Sequence, residues 1–174
     1  MHAHHYDAVP MRRAAARRPV WISGLACAAW IALSLSAALA ALLWPVDGWY
    51  AGIAKPSWNP PSWVFGPVWT TLYVMIGVAA WRLWRVGALT RDRRTAVVLA
   101  VQWVLNFLWS GFFFGMKAPG LALGEIVCLL ALIVVLIVRS MRHDRIAGLL
   151  LLPYAAWVSF ATVLNAALWW LNRS

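Results

Sequence analysis

Five long apolar runs, separated by short segments that hold most of the arginines, dominate this sequence. Each run is long enough to cross the roughly 30 Å hydrocarbon core of a bilayer at about 1.5 Å per helical residue. A spanning segment must satisfy its backbone groups internally, so the runs predict helices. Only 11% of the residues are charged, whereas soluble domains carry about 25%. The sequence therefore predicts an all-α membrane protein built as a bundle of five transmembrane helices.

The bounds of the predicted helices follow from the places where apolar runs meet arginines, prolines and turns. Met1–Arg18 is interpreted as a basic flexible N-terminal tail, and residues 19–174 as a single five-helix transmembrane domain. Pro60–Pro61 cannot lie inside a helix, since each ring removes a backbone donor and fixes φ, so Lys55–Ser62 is predicted to be stiff and irregular. Pro153 is predicted to bend the last helix. The helices are expected at about residues 20–43, 63–81, 95–114, 119–138 and 146–171.

The basic residues are divided unequally between the two ends of the predicted bundle. If the N-terminus lies inside, twelve of the fifteen lysines and arginines fall on the inner side, and only Lys55, Lys117 and Arg173 fall on the outer side. Cytoplasmic loops carry such an excess of positive charge, so the split predicts an N-in, C-out topology. The formal net charge of +10 does not indicate nucleic-acid binding, because the basic residues lie in short blocks between apolar runs.

Four of the predicted helices carry polar or aromatic residues on one face, and in a bilayer such a face turns toward protein rather than lipid. Intervals of three and four residues place each set on a single face. We expect these faces to enclose an apolar cavity with a few polar groups, suited to a flat, hydrophobic, aromatic molecule. The sets are Phe65, Trp69, Tyr73 and Ile76 in helix 2; Gln102, Asn106, Trp109 and Phe113 in helix 3; Leu121, Gly124, Glu125 and Cys128 in helix 4; and Tyr154, Trp157, Ala161, Leu164, Asn165 and Leu168 in helix 5.

Each of these features has an alternative that the sequence leaves open. Asn106 and Asn165 fit hydrogen bonds between helices as well as a ligand site. Trp58 fits a lid over the cavity or an anchor at the membrane interface, and Trp44, near the end of the first helix, is assigned to that interface. The sequence shows no nucleophile–base set, no Gly-rich phosphate loop and no paired Cys/His ligands. No catalytic residue, metal site or required cofactor is therefore predicted.

Small residues in the third helix predict the close approach of another helix. Ala96 and Ala100 lie on one face. Gly111 and Gly115 have the Gly-x-x-x-Gly spacing that favours pairing of helices in membranes. This spacing predicts a homodimer, but the same glycines would also ease packing within one bundle, so both interpretations stay open.

Three separated segments carry a family pattern: WYAGIAKPSWNPPSWVFGPVWTTLY at Trp49–Tyr73, QWVLNFLWSGFFFG at Gln102–Gly115, and LLPYAAWVSFATVLNAALWWLN at Leu151–Asn172. Together they resemble the translocator protein, or tryptophan-rich sensory protein, family, formerly called the peripheral benzodiazepine receptor. The resemblance implies five transmembrane helices, a homodimer, and binding of porphyrins such as protoporphyrin IX and of haem precursors, as a sensor or transporter. It also implies binding of benzodiazepine and isoquinoline carboxamide ligands. The alternative that it raises is an enzyme that degrades protoporphyrin in a light- and oxygen-dependent reaction.

The resemblance also implies roles for individual residues. By motif position, the pocket tryptophans fall on Trp69 and Trp157, which would act in the degradation reaction, and the pocket asparagine falls on Asn106. The remaining ligand-binding positions, with Trp58 and Trp109 added from the residue pattern, are Phe65, Trp58, Trp109, Leu121, Gly124, Cys128, Ala161 and Leu164.

Two departures from the animal members of that family affect the expected ligands. Leu121 stands where those members have a tryptophan, which predicts weaker binding of drug-type ligands. Ala166 and Trp170 stand where their sterol motif has a tyrosine and a basic residue, which puts sterol binding in doubt. The composition, rich in alanine, arginine and tryptophan, suggests a bacterial chain. The bacterial cell membrane is therefore the expected location, with an outer membrane as the alternative.

Overall fold

The computed structural model describes residues 20–46 and 48–173, so the predicted tail at residues 1–18 lies outside the described residues. Within that part of the chain, all regular secondary structure is helical. Five helices are long and apolar enough to cross a membrane, which confirms the predicted fold class. They are α1 (Val20–Leu43), α2 (Ser62–Arg85), α3 (Arg93–Gly115), α4 (Pro119–His143) and α5 (Arg145–Leu171).

Several helices extend further into the arginine-rich turns than the sequence predicted. α2 ends at Arg85 rather than at residue 81, and α4 ends at His143 rather than at residue 138. Basic side chains in a last turn interact favourably with the helix dipole and do not end the helix. α3 begins at Arg93, because the Asp92 carboxylate accepts hydrogen bonds from two backbone N–H groups of the first turn and so acts as its N-cap.

Three spans contain a local departure from α-helical geometry. α1 includes a 3₁₀ turn at Ser36–Leu39, and α3 ends in a π-helical turn at Gly111–Gly115. α5 breaks at Leu151, and Pro153 lies in the first turn of the following stretch, Leu152–Leu171. The missing N–H of a proline costs little in that position. The irregularity predicted for α5 is thus a break just before the proline.

Trp44 fills a notch in the surface of α3 that two glycines create. A Cβ atom on Gly115 would lie 2.5 Å from Cδ1 of Trp44, and one on Gly111 would lie 3.1 Å from its Cη2. The ring also meets Phe107 edge to face, with 5.3 Å between ring centroids. Trp44 therefore packs within the chain, while its assignment to the interface belt stays a prediction. The two glycines serve this packing. The predicted homodimer gains no support from them and stays a prediction.

At the end of the bundle that we call the arginine end, two aspartates join the turns 82–94 and 139–145. Asp92 accepts hydrogen bonds from Arg139 Nη2 at 2.6 Å and lies 2.9 Å from His143 Nε2. Hydrogen bonds from the Thr95 hydroxyl, His143 and Arg139 hold the pKa of Asp92 well below its usual range. Asp144 pairs with Arg82 at 3.0 Å. Burial alone would raise the pKa of Asp144, but its hydrogen bond and charge pairing with Arg82 outweigh burial and lower it.

The opposite end, which we call the loop end, is covered by the segment between α1 and α2. Gly48–Gly52 forms a short helix, and residues 53–61 contain no regular secondary structure, as predicted for the proline-rich part. The Asn172 side chain accepts a hydrogen bond from the Ala54 N–H and donates one to the Ala54 carbonyl, both at 2.9 Å. The segment is therefore fastened to the C-terminal end of α5. The side of the membrane on which it lies remains a prediction.

Candidate ligand-binding cavity

A cavity of about 330 Å³ lies within the bundle, on the side of the loop end, and all five spans contribute to its wall. It falls at the lower end of the range of about 300–1,000 Å³ that small-molecule sites occupy. Tyr50, from the short helix of the covering segment, lies at its edge. Seven of the residues predicted for a ligand site line it: Phe65, Trp69, Asn106, Trp109, Trp157, Ala161 and Leu164.

Aromatic side chains form most of the wall, and they hold one another in place. Trp69 stacks on Tyr73, with 5.4 Å between ring centroids and 27° between ring planes. Trp157 meets Phe65 edge to face at 5.8 Å. Such pairs add roughly 0.5–1.5 kcal/mol each beyond the area that they bury. The indole rings of α2 and α5, two helices in ring-to-ring contact, are therefore fixed in the cavity wall before any ligand arrives.

A chain of hydrogen bonds forms the polar floor of the cavity. The Tyr73 hydroxyl donates to Asn106 Oδ1 at 2.8 Å, and Asn106 Nδ2 donates to the Tyr154 hydroxyl at 3.0 Å. The Tyr154 hydroxyl in turn donates to Gln102 Oε1 at 3.0 Å. Asn106 therefore lines the cavity and also links α2 to α5 by hydrogen bonds. Its geometry fits both interpretations of its sequence position, a residue of a ligand site and a link between helices.

Asn165 makes a second link of the same kind. Its Oδ1 accepts a hydrogen bond from Trp109 Nε1 at 3.1 Å, and its Nδ2 donates to the Pro119 carbonyl at 2.8 Å. The amides in the wall are thus already engaged with protein partners. The indole N–H of Trp157 is buried without a hydrogen-bond partner among the described residues. A ligand would therefore be held mainly by ring faces and apolar contact.

Three predicted wall residues of α4 lie outside the cavity, and that part of the prediction is wrong. Leu121 is 58% exposed, Cys128 is exposed, and a Cβ atom on Gly124 would meet nothing within 4 Å. Ile126 and Leu129, on another face of the helix, line the cavity instead. α4 is the most apolar of the five spans, so its lipid-facing and protein-facing sides have the same composition and the sequence does not separate them.

Trp58 and Glu125 also differ from what their sequence positions suggested. Trp58 is 46% exposed and meets Phe160 edge to face at 5.9 Å, outside the cavity wall. It is not a lid over the site. Both carboxylate oxygens of Glu125 are buried without a hydrogen-bond partner among the described residues, and Glu125 does not line the cavity.

The sequence missed the contribution of α1, which shows no polar or aromatic stripe. Its 3₁₀ turn places small residues at the wall: Ala37, Ala38, Ala40 and Ala41. A row of alanines beside a wall of large aromatic rings is the signal that would have indicated a close approach. Among the described residues, no group of three or more His, Cys, Asp or Glu side chains is placed to hold a metal ion.

Five membrane-spanning helices around an aromatic cavity define an integral, multi-pass membrane protein with a candidate site for a hydrophobic ligand. Residues 25–171 match the TspO/MBR family, and the chain belongs to that family. It is 43% identical to the tryptophan-rich protein TspO of Archaeoglobus fulgidus over 73% of this chain and 82% of that one. It is 38% identical to the human translocator protein over 70% of this chain and 73% of that one. It is also 38% identical to the tryptophan-rich sensory protein of Cereibacter sphaeroides, over 72% and 77% of the two chains.

Proposed function

We propose that the protein binds a tetrapyrrole, protoporphyrin IX or a haem precursor, in the cavity, and acts as a sensor or transporter in a bacterial cell membrane. The observation that carries the proposal is the pair of indoles, Trp69 and Trp157, which line the cavity from the neighbouring helices α2 and α5. Flat aromatic ligands bind well to such ring faces. The names of its relatives, translocator protein and tryptophan-rich sensory protein, agree with a transport or sensory role.

The small volume of the cavity bears on how such a ligand would sit. A porphyrin macrocycle is large for a site at the lower end of the usual size range. One part of the ring would lie against the indoles, and the remainder would reach the opening of the cavity. The side-chain amides of Asn106 and Asn165 are already hydrogen-bonded to protein groups. They would therefore form part of the cavity surface without making strong polar contacts to the ligand, which suits an apolar ring.

Filling the cavity tests this proposal most simply. Ala161→Trp places a large ring where Ala161 lines the wall, and it is expected to weaken protoporphyrin IX binding at least tenfold, or about 1.4 kcal/mol. Cys128→Trp is the matched control, because Cys128 is exposed on α4, and it is expected to bind as the unsubstituted protein does. The porphyrin absorption band, titrated in lipid nanodiscs, reports binding without interference from added tryptophan. Equal affinities for the two variants would contradict the proposal.

A porphyrin-degrading enzyme is the second candidate, and the position of both indoles at the cavity wall favours keeping it. Trp157→Phe separates the two functions. Binding in the dark is expected to survive, because a phenyl ring still stacks, whereas degradation under light and oxygen would lose its indole. If light removes the porphyrin band with the unsubstituted protein but not with Trp157→Phe, degradation becomes the favoured function.

The same cavity is the proposed site of benzodiazepine and isoquinoline carboxamide ligands. These ligands are expected to compete with protoporphyrin IX, because the cavity holds one ligand of either kind. Leu121 lies outside the wall, so it is not expected to alter their affinity directly. Additive rather than competitive binding would place the drug-type ligands elsewhere.

The homodimer is proposed only from the family, and crosslinking in native lipid checks it.

A further inference from the structure

The opening of the cavity is formed by only two of the five helices. Every residue that α3, α4 and α5 contribute to the wall is buried or half-buried. The exposed wall residues of the spans belong to α1 and α2: Ala38, Ala41, Ser62, Gly66 and Thr70. The cavity therefore opens sideways, between α1 and α2.

α1 and α2 are in close contact toward the arginine end and separate toward the loop end. At the contact, a Cβ atom on Gly77 would lie 2.6 Å from Cα of Ile31, so the two backbones touch. Trp81 Nε1 also donates to the Ser23 carbonyl at 2.9 Å. Gly66 lies about three helical turns, roughly 16 Å, from Gly77 on the same face of α2. A Cβ atom there would meet nothing within 4 Å, so the helices have parted at this level.

The rim of this opening suits a hydrocarbon environment. It is made of small side chains, and the Thr70 hydroxyl is satisfied within its own helix, because Thr70 Oγ1 donates to the Gly66 carbonyl at 2.9 Å. Such back-bonding leaves Thr70 no free donor toward lipid. Ser62, the other rim hydroxyl, lies at the start of α2, nearer the loop end. The 3₁₀ turn of α1 at Ser36–Leu39 lies at the same level, and the hydroxyl of Ser36 is likewise bonded to the Leu33 carbonyl at 2.6 Å.

The loop end is covered by contrast, although Val46 of the covering segment is an exposed residue of the cavity wall. Asn172 holds the backbone of Ala54 through two hydrogen bonds. Trp49 and Tyr50 pack edge to face on Phe113, with 5.8 and 6.1 Å between ring centroids. A ligand leaving beneath the fastened segment would have to break these contacts, whereas one leaving between α1 and α2 would break none of them.

We propose that ligands enter and leave the cavity laterally from the bilayer, through a portal between Ala38–Ala41 of α1 and Gly66–Thr70 of α2. This inference rests on the proposed ligand function of the cavity. It assigns the ligands to a class: molecules that partition into the membrane and reach the site from lipid, with their apolar edge first.

The test measures exchange rates of protoporphyrin IX in nanodiscs whose lipid is loaded with the porphyrin before mixing. Gly66→Phe fills open space at the portal, and it is expected to slow association and dissociation by about tenfold each. Ala41→Phe, on the other side of the portal, is expected to act in the same way. Gly24→Phe is the matched control, because a Cβ atom on Gly24 also meets nothing within 4 Å and Gly24 lies outside the cavity wall.

Asn172→Ala distinguishes the portal from the loop end. It releases the covering segment, so exchange through that end would accelerate, whereas lateral exchange would keep its rate within about twofold. Faster exchange in Asn172→Ala, or unchanged rates in both Gly66→Phe and Ala41→Phe, would overturn the portal. Absence of saturable binding by the unsubstituted protein would instead overturn the proposed function, so the two failures are distinguishable.

Discussion

At the residue scale, Asn106 determines the arrangement of the cavity floor. Its amide accepts from Tyr73 and donates to Tyr154, so a single side chain of α3 positions tyrosines from α2 and α5. All three residues are buried. A buried hydroxyl that loses its partner carries a desolvation cost of about 1–3 kcal/mol, whereas removal of both partners can be nearly neutral.

Asn106→Leu is therefore expected to lower the free energy of unfolding by about 1–3 kcal/mol, because the Tyr73 hydroxyl loses its acceptor. Adding Tyr73→Phe to that variant is expected to restore part of the loss, whereas Tyr154 keeps its hydrogen bond to Gln102. Ser159→Ala serves as the control, since its exposed hydroxyl bonds only to the Ala155 carbonyl of its own helix. Denaturant unfolding in detergent measures the effect, and a double variant less stable than the single one would contradict this role.

At the scale of helices, the contact between α1 and α2 sets the shape of the site. The helices touch at Gly77 and Ile31 and separate toward Gly66. The distance between them therefore increases from this contact toward the opening of the cavity. α1 is the least buried of the five spans, and it packs against α2 at this contact and against α3 through Trp30 and Trp44. A substitution at this contact is therefore expected to change both the free energy of unfolding and the shape of the cavity.

Gly77→Ala is expected to cost about 1–3 kcal/mol of stability, because the added methyl group meets the backbone of Ile31, which cannot rotate away. Gly24→Ala adds the same methyl group in open space on α1, so it corrects for the general preference of helices for alanine. Thermal unfolding of both variants in the same detergent makes the comparison. Equal melting temperatures for the two variants would show that the helices are not in backbone contact.

The turns at the arginine end predict how stability depends on pH. The pKa of Asp92 is lowered in the folded protein by the Thr95 hydroxyl, His143 and Arg139. Its stabilising contribution is therefore complete above the unfolded-state pKa of about 3.9, and is lost as the pH falls below that value toward the folded pKa. Asp92→Asn keeps an N-cap residue and removes the charge, so its stability should fall less steeply in acid.

Unfolding measured between about pH 2 and pH 6, on either side of the unfolded-state pKa, checks this dependence. Arg173→Gln is the control, since Arg173 lies over the Trp170 ring at the other end of the bundle. The decrease of its free energy of unfolding with falling pH should match that of the unsubstituted protein. A slope for Asp92→Asn as steep as that of the control would contradict the assignment to Asp92.

At the scale of the whole molecule, the two ends of the bundle differ in charge and in covering. The arginine end holds the paired aspartates, and the loop end holds the fastened segment between α1 and α2. The excess of basic residues predicts that the arginine end faces the cytoplasm. The loop end would then face the outside.

Cysteine labelling in intact cells tests this orientation. In a background without Cys27 and Cys128, Ser57→Cys is expected to react with a membrane-impermeant maleimide, whereas Arg145→Cys is expected to react only with a permeant one. Both positions are exposed in the structure, so burial does not explain a difference. Labelling of Arg145→Cys alone by the impermeant reagent would reverse the topology.

The sequence predicted most of the fold and about half of the cavity wall, for identifiable reasons. Helices α2, α3 and α5 carry aromatic and polar residues at helical spacing, so their inner faces, including Trp69, Asn106 and Trp157, were found correctly. α4 has no such contrast, and Leu121 was placed on the wrong side. The part played by Ala38 and Gly66 at the opening depends on how two helices diverge, which spacing along one helix does not encode.

The most direct test of the central claim is a structure of the protein with protoporphyrin IX bound, determined in lipid. The macrocycle is expected to lie against Trp69 and Trp157, with one edge in the opening between α1 and α2 and with Asn172 still bonded to Ala54. A macrocycle on the exposed face of α4 beside Gly124, or on the surface of the bundle with the cavity unchanged, would contradict it.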